Sequence, residues 1–148
     1  LKGMNRLGSE SQNFDLIDLI SERHVLLRNL NSQLWNDSHE LYISNSEWFI
    51  MARIYKKQPT ISYVTKQAGI SRQATHKFIK NLESKGLVEI SKAQHNNKDK
   101  CIRLTKLGEE CFEKREVIKA TLEAKIIKTI GVEQATQLKK ILQSDWGL

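Results

Sequence analysis

Residues Thr60–Gly108 read TISYVTKQAGISRQATHKFIKNLESKGLVEISKAQHNNKDKCIRLTKLG, and the change of period inside this stretch decides the fold. From Thr60, residues Ile61, Val64 and Ala68 recur at three- and four-residue spacings, which puts them on one face of a short helix. That helix is expected to stop at Gly69, because glycine takes a left-handed backbone at no steric cost. Ser71 follows as an N-cap, and Thr75, Phe78, Ile79 and Leu82 lay down the buried side of a second helix that closes at Lys85-Gly86. The two helices therefore meet at the short turn Gly69-Ile70-Ser71. Past Leu87 the period drops to two. Val88 and Ile90 alternate with Glu89 and Ser91; then, after a polar tip at Gln94–Asp99, Ile102 and Leu104 alternate with Cys101, Arg103 and Thr105. This alternation predicts the two strands of a hairpin.

Working outward, Asn13–Asp37 carries Phe14, Ile17, Ile20, Leu27, Leu30 and Leu34 at mostly helical spacing with no Pro or Gly, and predicts one long amphipathic helix. Ser44 and Glu47 form a capping-box signature ahead of Trp48-Phe49-Ile50-Met51, and Pro59, the only proline, is expected to end that helix. Beyond Thr105, Phe112, Ile118, Leu122, Ile126 and Ile130 run through a background of Glu and Lys as another long helix. Gly131 breaks it, and Val132, Ala135, Leu138, Ile141 and Leu142 form a last short one. The expected fold is mainly α with a small β-hairpin wing. A winged helix-turn-helix at 44–106 is flanked by an N-terminal dimerisation helix and connector at 1–43 and by C-terminal dimerisation helices at 107–148. The flanking apolar stripes exceed what so small a chain buries against itself, so a homodimer is expected.

Composition narrows the function classes. Apolar residues make up 39% and charged residues 28% of the 148, a balance typical of globular domains, and no apolar run approaches the ~20 residues of a membrane span. The opening Leu1-Lys2-Gly3-Met4 has too short an apolar stretch for a secretory signal, and a cytoplasmic location is expected. Cys101 and Cys111 show no CxxC pattern, and His24, His39, His76 and His95 show no paired spacing; no disulfide, metal site or cofactor is expected. No nucleophile, acid–base pair or glycine-rich phosphate loop stands at usable spacing, which makes an enzyme the weakest reading. The net charge of +7 is unevenly placed: Arg53–Lys106 holds thirteen basic and three acidic residues, the rest eleven and fourteen. One contiguous segment carries the positive field, as a polyanion-binding surface requires.

Within that segment, Asn81-Leu82-Glu83-Ser84-Lys85-Gly86-Leu87-Val88 contains Leu-Glu-x-x-Gly-Leu-Val, and Ile102-Arg103-Leu104-Thr105-Lys106-Leu107-Gly108 contains Leu-Thr-x-x-Gly. Preceded by Ile70-Ser71-Arg72-Gln73-Ala74-Thr75, and set in the same order of helices over almost the whole chain, these motifs resemble the MarR family of transcriptional regulators. The resemblance implies a homodimer with intertwined terminal helices, each subunit presenting one winged module to a half-site of a pseudo-palindrome in double-stranded DNA. The wing tip departs from the pattern. Asn96-Asn97-Lys98 stands where the family usually has Asp-Arg-Arg, leaving Lys98 as a point charge in place of a minor-groove arginine.

The phase of the second helix of the motif sends Arg72, Gln73, His76, Lys77 and Lys80 away from its apolar side. A solvated polar face is the plain alternative. Helix-turn-helix geometry instead places Arg72, Gln73 and His76 at base edges and Lys77 and Lys80 at phosphates; Ser71, Asn97 and Lys98 complete the DNA-facing set. Arg53, Lys56 and Lys57 divide evenly between ordinary surface and a backbone track. Trp35, His39, Tyr42, Trp48 and Tyr55 gather near the junction of the dimerising and DNA-binding parts. Core packing is the better account of them, against a pocket for the small aromatic or phenolic effectors that the resemblance implies. Neither cysteine occupies the first-helix place used by thiol-sensing members of the family, though Cys101 has Lys100 and Arg103 beside it. The expected function is a ligand- or signal-responsive repressor acting on DNA; the alternative is a winged-helix module for RNA or an acidic protein.

Overall fold

The computed structural model describes residues 13–93 and 96–148, with the side chains of 93–98 outside the described set. Six helices and one hairpin follow in the order α1 (Leu16–Ser38), α2 (Asn45–Ile54), α3 (Ile61–Ala68), α4 (Arg72–Ser84), β1 (Val88–Ala93), β2 (Asn96–Leu104), α5 (Lys106–Ile130) and α6 (Val132–Gln143). The helix starts are chemically specified. Asp15, Ser44, Thr60, Ser71 and Thr105 each accept a hydrogen bond from a backbone N–H three residues on, and Glu47 returns the bond to the Ser44 N–H at 2.9 Å to complete the capping box.

Three boundaries depart from the sequence expectation. The first helix begins at Leu16 because Asp15 is extended and caps the Asp18 N–H at 2.8 Å, which leaves Phe14 outside. The second ends at Ile54, well ahead of Pro59, where Lys56 takes a left-handed backbone with φ 55°. Pro59 instead opens a short extended edge: its carbonyl accepts the Ile102 N–H at 3.0 Å, and Thr60 bridges Cys101. The return strand of the wing begins at Asn96, which pairs with Ala93, while the next pair is Lys92 with Lys100; the register shift between Lys92 and Ala93 takes up residues 97–99 as an irregularity of the longer strand.

One core joins α2, α3, α4, the hairpin and the start of α5. Trp48, Ile50, Met51, Ile54, Val64, Ile79, Leu82, Leu87, Ile102 and Phe112 are its centre. The two sequence motifs meet here. Thr105 donates its hydroxyl to the Gly86 carbonyl at 2.6 Å and its N–H to the Leu87 carbonyl at 3.0 Å, while a Cβ at Gly108 would overlap the same Leu87 carbonyl oxygen. Glycine at 108 is thus what lets the first turn of α5 lie against the chain leaving α4.

The outer helices are different. Leu16 and Ile17 on α1 and Val117 on α5 are exposed, and no residue of α6 is buried.

Candidate nucleic-acid interface

Gly69, with φ 64° and ψ 18°, ends α3 in the left-handed turn that lets the chain reverse into α4 within three residues. Ser71 then caps α4 by accepting the Ala74 N–H at 3.1 Å. Residues 71–73, which form this capped start of the helix, are exposed.

Along α4 the buried line is Thr75, Ile79 and Leu82. With roughly 100° per residue, Gln73, Lys77 and Lys80 fall on the opposite centre line, with Arg72 and His76 on one flank and Asn81 on the other. Arg72, Gln73, Lys77 and Lys80 are exposed and His76 is half-buried. All five border one open depression along the helix together with Asn81, which the sequence reading passed over although it stands one turn beyond Lys77. Phe78, placed on the buried side by its spacing, lies on the flank and is only partly buried against the core.

The wing is braced beside this helix. Glu89 and Arg103 face each other across the hairpin and pair at 2.6 Å; Ser62 of α3 donates to Asp99 at 3.0 Å, and Gln58 donates to Ser91 at 3.1 Å. The side chains of Asn97 and Lys98 lie outside the described residues, and only their backbone, in β2, is placed. Part of the basic segment already has partners within the protein. Arg103 is held by Glu89, and Lys85 by Glu47 at 2.8 Å. Arg53 lies over the Phe49 ring and Lys56 over the Tyr55 ring. No ion pair among the described residues engages Arg72, Lys77 or Lys80.

The five aromatic candidates do not form one site. His39 stacks on Trp35 at 3.8 Å, and Trp48 meets Trp35 edge-on at 4.9 Å, with the Trp35 Nε1–H donated to the Leu41 carbonyl. Trp35 and Trp48 are buried, Tyr42 is exposed, and Tyr55 packs against Phe112. Trp48 alone of the five borders an open groove of about 440 Å³ between α1, α2 and α5, whose walls include His24, Arg28, Phe49 and Arg115. The Arg115 guanidinium lies 5.0 Å over the Trp48 ring, and burial lowers its pKa from the usual arginine value. Burial also pushes the Cys111 thiol up, more than Lys114 draws it down. Cys101 is half-buried on β2. Among the described residues no helix is long and apolar enough to cross a membrane, and no group of His, Cys, Asp and Glu is placed to hold a metal ion.

No protein-family model matches the sequence, and no curated protein matches it significantly. Solved structures do match in three dimensions. FabT of Streptococcus pneumoniae in complex with DNA is 20% identical over 86% of this chain and 90% of its own, with a TM-score of 0.76. The S. aureus MepR–DNA complex is 20% identical over 88% and 95%, at 0.72. Ligand-free MarR from E. coli is 17% identical over 88% and 96%, at 0.73. Six helices in the same order, a two-stranded antiparallel wing and overlap along nearly the full length of each chain give this protein the winged helix-turn-helix fold of the MarR regulators.

Proposed function

We propose that the chain is a sequence-specific double-stranded DNA-binding transcriptional regulator of the MarR type, acting as a homodimer on a pseudo-palindromic operator. The observation that carries this reading is the outward face of α4. A helix with a capped, exposed N-terminus packs on the common core through Thr75, Ile79 and Leu82, with Gln73, Lys77 and Lys80 on the opposite centre line and Arg72 and His76 beside them. Arg and Gln offer the bidentate donor and acceptor patterns that suit G and A, and the lysines suit phosphate. The fold is shared with FabT and MepR, whose solved structures include DNA.

The homodimer is supported by the apolar residues left uncovered on α1, α5 and α6. Val132 and Ile141 are 70% and 57% exposed in the single chain, a pattern that a second copy would bury. Repression follows from operator occupancy overlapping a promoter. Its release by a small effector is supported by the groove between α1, α2 and α5, where Arg28 and Arg115 beside Trp48 and Phe49 suit an anionic aromatic molecule.

Selection of binding sites from random duplexes tests the central claim. The expected result is an enriched inverted repeat, bound at least a thousandfold more tightly than random duplex, in the usual range for specific regulators. Enrichment of nothing, or tighter binding to structured RNA or an acidic protein, would overturn it. Repeating the assay with small aromatic carboxylates tests the effector.

A further inference from the structure

We infer that Lys85 and Glu47 form a latch that fixes the angle of α4, which makes Lys85 a positioning residue for DNA reading that does not itself touch DNA. This rests on the DNA-reading function proposed above. Glu47 is the only buried charged residue among those described, and a capping box does not require its charge, because glutamine serves equally well. Burying a carboxylate is costly unless it is fully paired, so a second demand on this side chain is to be expected. Lys85 supplies it. The ammonium donates to Oε1 at 2.9 Å and to Oε2 at 2.8 Å, and its third hydrogen bond goes to the Tyr42 carbonyl at 2.8 Å.

Those partners belong to three different parts of the chain. Lys85 is the C-cap of α4, Glu47 lies in the first turn of α2, and Tyr42 lies in the connector that leaves α1. Helix α4 packs on α2, α3 and β1, while α1 packs on α5. The Lys85–Tyr42 bond is therefore a direct tie between the reading helix and the connector from the proposed dimer seam. The reading residues sit at the far end of the same helix. At 1.5 Å rise per residue, Gln73 is about 18 Å from Lys85, so a tilt of about 5° at the latch displaces it by about 1.5 Å. That is enough to break hydrogen bonds to base edges while leaving looser phosphate contacts in place.

The test uses the full chain and compares binding to the selected operator and to random duplex over a range of salt, alongside thermal unfolding. Glu47→Gln, which keeps the cap acceptor, and Lys85→Gln are each expected to weaken operator binding by about tenfold, the scale of one lost base contact. Random-duplex binding and its salt slope should stay as in the wild type, and Lys85→Arg should restore operator preference because a guanidinium can grip both carboxylate oxygens. Should Lys85→Gln prove unstable through an unpaired Glu47, the double variant Glu47→Gln/Lys85→Gln leaves no buried charge and is expected to show the same loss of preference. A salt slope lower by about one unit would make Lys85 a phosphate contact and overturn the latch. So would a lowered unfolding temperature with the operator-to-random ratio unchanged. A wild-type chain with no operator preference would instead overturn the DNA-reading function, and the latch with it.

Discussion

Gln73 occupies the middle of the outward face of α4 and Arg72 its first turn, and both are exposed, so neither contributes packing that a truncation would remove. Arg72→Ala and Gln73→Ala are expected to change stability by no more than about 0.5 kcal/mol. Each should cost about 1–3 kcal/mol of operator binding and relax preference at one base position per half-site. Gel-shift titration on operator and randomised duplex, with thermal melting, checks both, and wild-type affinity for both duplexes in both variants would remove α4 from base reading. Phe78 makes the opposite case. A fully buried phenylalanine costs about 3–5 kcal/mol on truncation, but Phe78 sits on the flank of the buried line and keeps part of its ring in water. Phe78→Ala is accordingly expected to cost on the order of 2 kcal/mol in urea unfolding. Side-chain period identified the outward residues because α4 is long enough to show its phase. It overcounted the buried ones because adjacent positions 78 and 79 share an apolar character but stand roughly 100° apart on the helix.

At the scale of elements, the junction of α4, β1 and α5 carries the most demanding geometry. Thr105 binds the Gly86 and Leu87 backbone, and Gly108 leaves room for the Leu87 carbonyl. Since a backbone oxygen cannot swing aside as a side chain can, Gly108→Ala is expected to destabilise the module by about 2–3 kcal/mol, seen as a lower urea midpoint with an unchanged slope. Wild-type stability in that variant would mean α5 can shift along β2 freely. Caps and glycine turns were legible here because each is written within four residues. The ends of α2 and of the wing strands were not. Helix α2 stops at Ile54, just before Lys56 takes a left-handed backbone that its residue type does not announce, and β2 starts at Asn96 because Asn96 pairs with Ala93 on the opposite strand.

For the whole molecule, the proposed dimer has a simple consequence. In light scattering at micromolar concentration the mass should be about twice the 17.1 kDa of one chain, and a monomeric mass would sink the intertwined arrangement. Ile141→Glu, placing a charge on the uncovered face of α6, is expected to shift the mass toward one chain and to weaken operator binding through the loss of the second half-site. The amino-acid sequence by itself determined the order of helices, the short turn, the hairpin and which side of α4 faces out, because hydrophobic period, caps and glycine positions act over one or two turns. Only the tertiary structure decided which charges and rings are committed to the protein. Lys85 closes on Glu47 from 38 positions away, Arg103 closes on Glu89 across the wing, and Trp48 turns its edge to the Trp35–His39 stack. The first and last of these need separate segments to be brought within a few ångströms by the common core, and the second needs the exact register of the hairpin, which no local pattern of residues records.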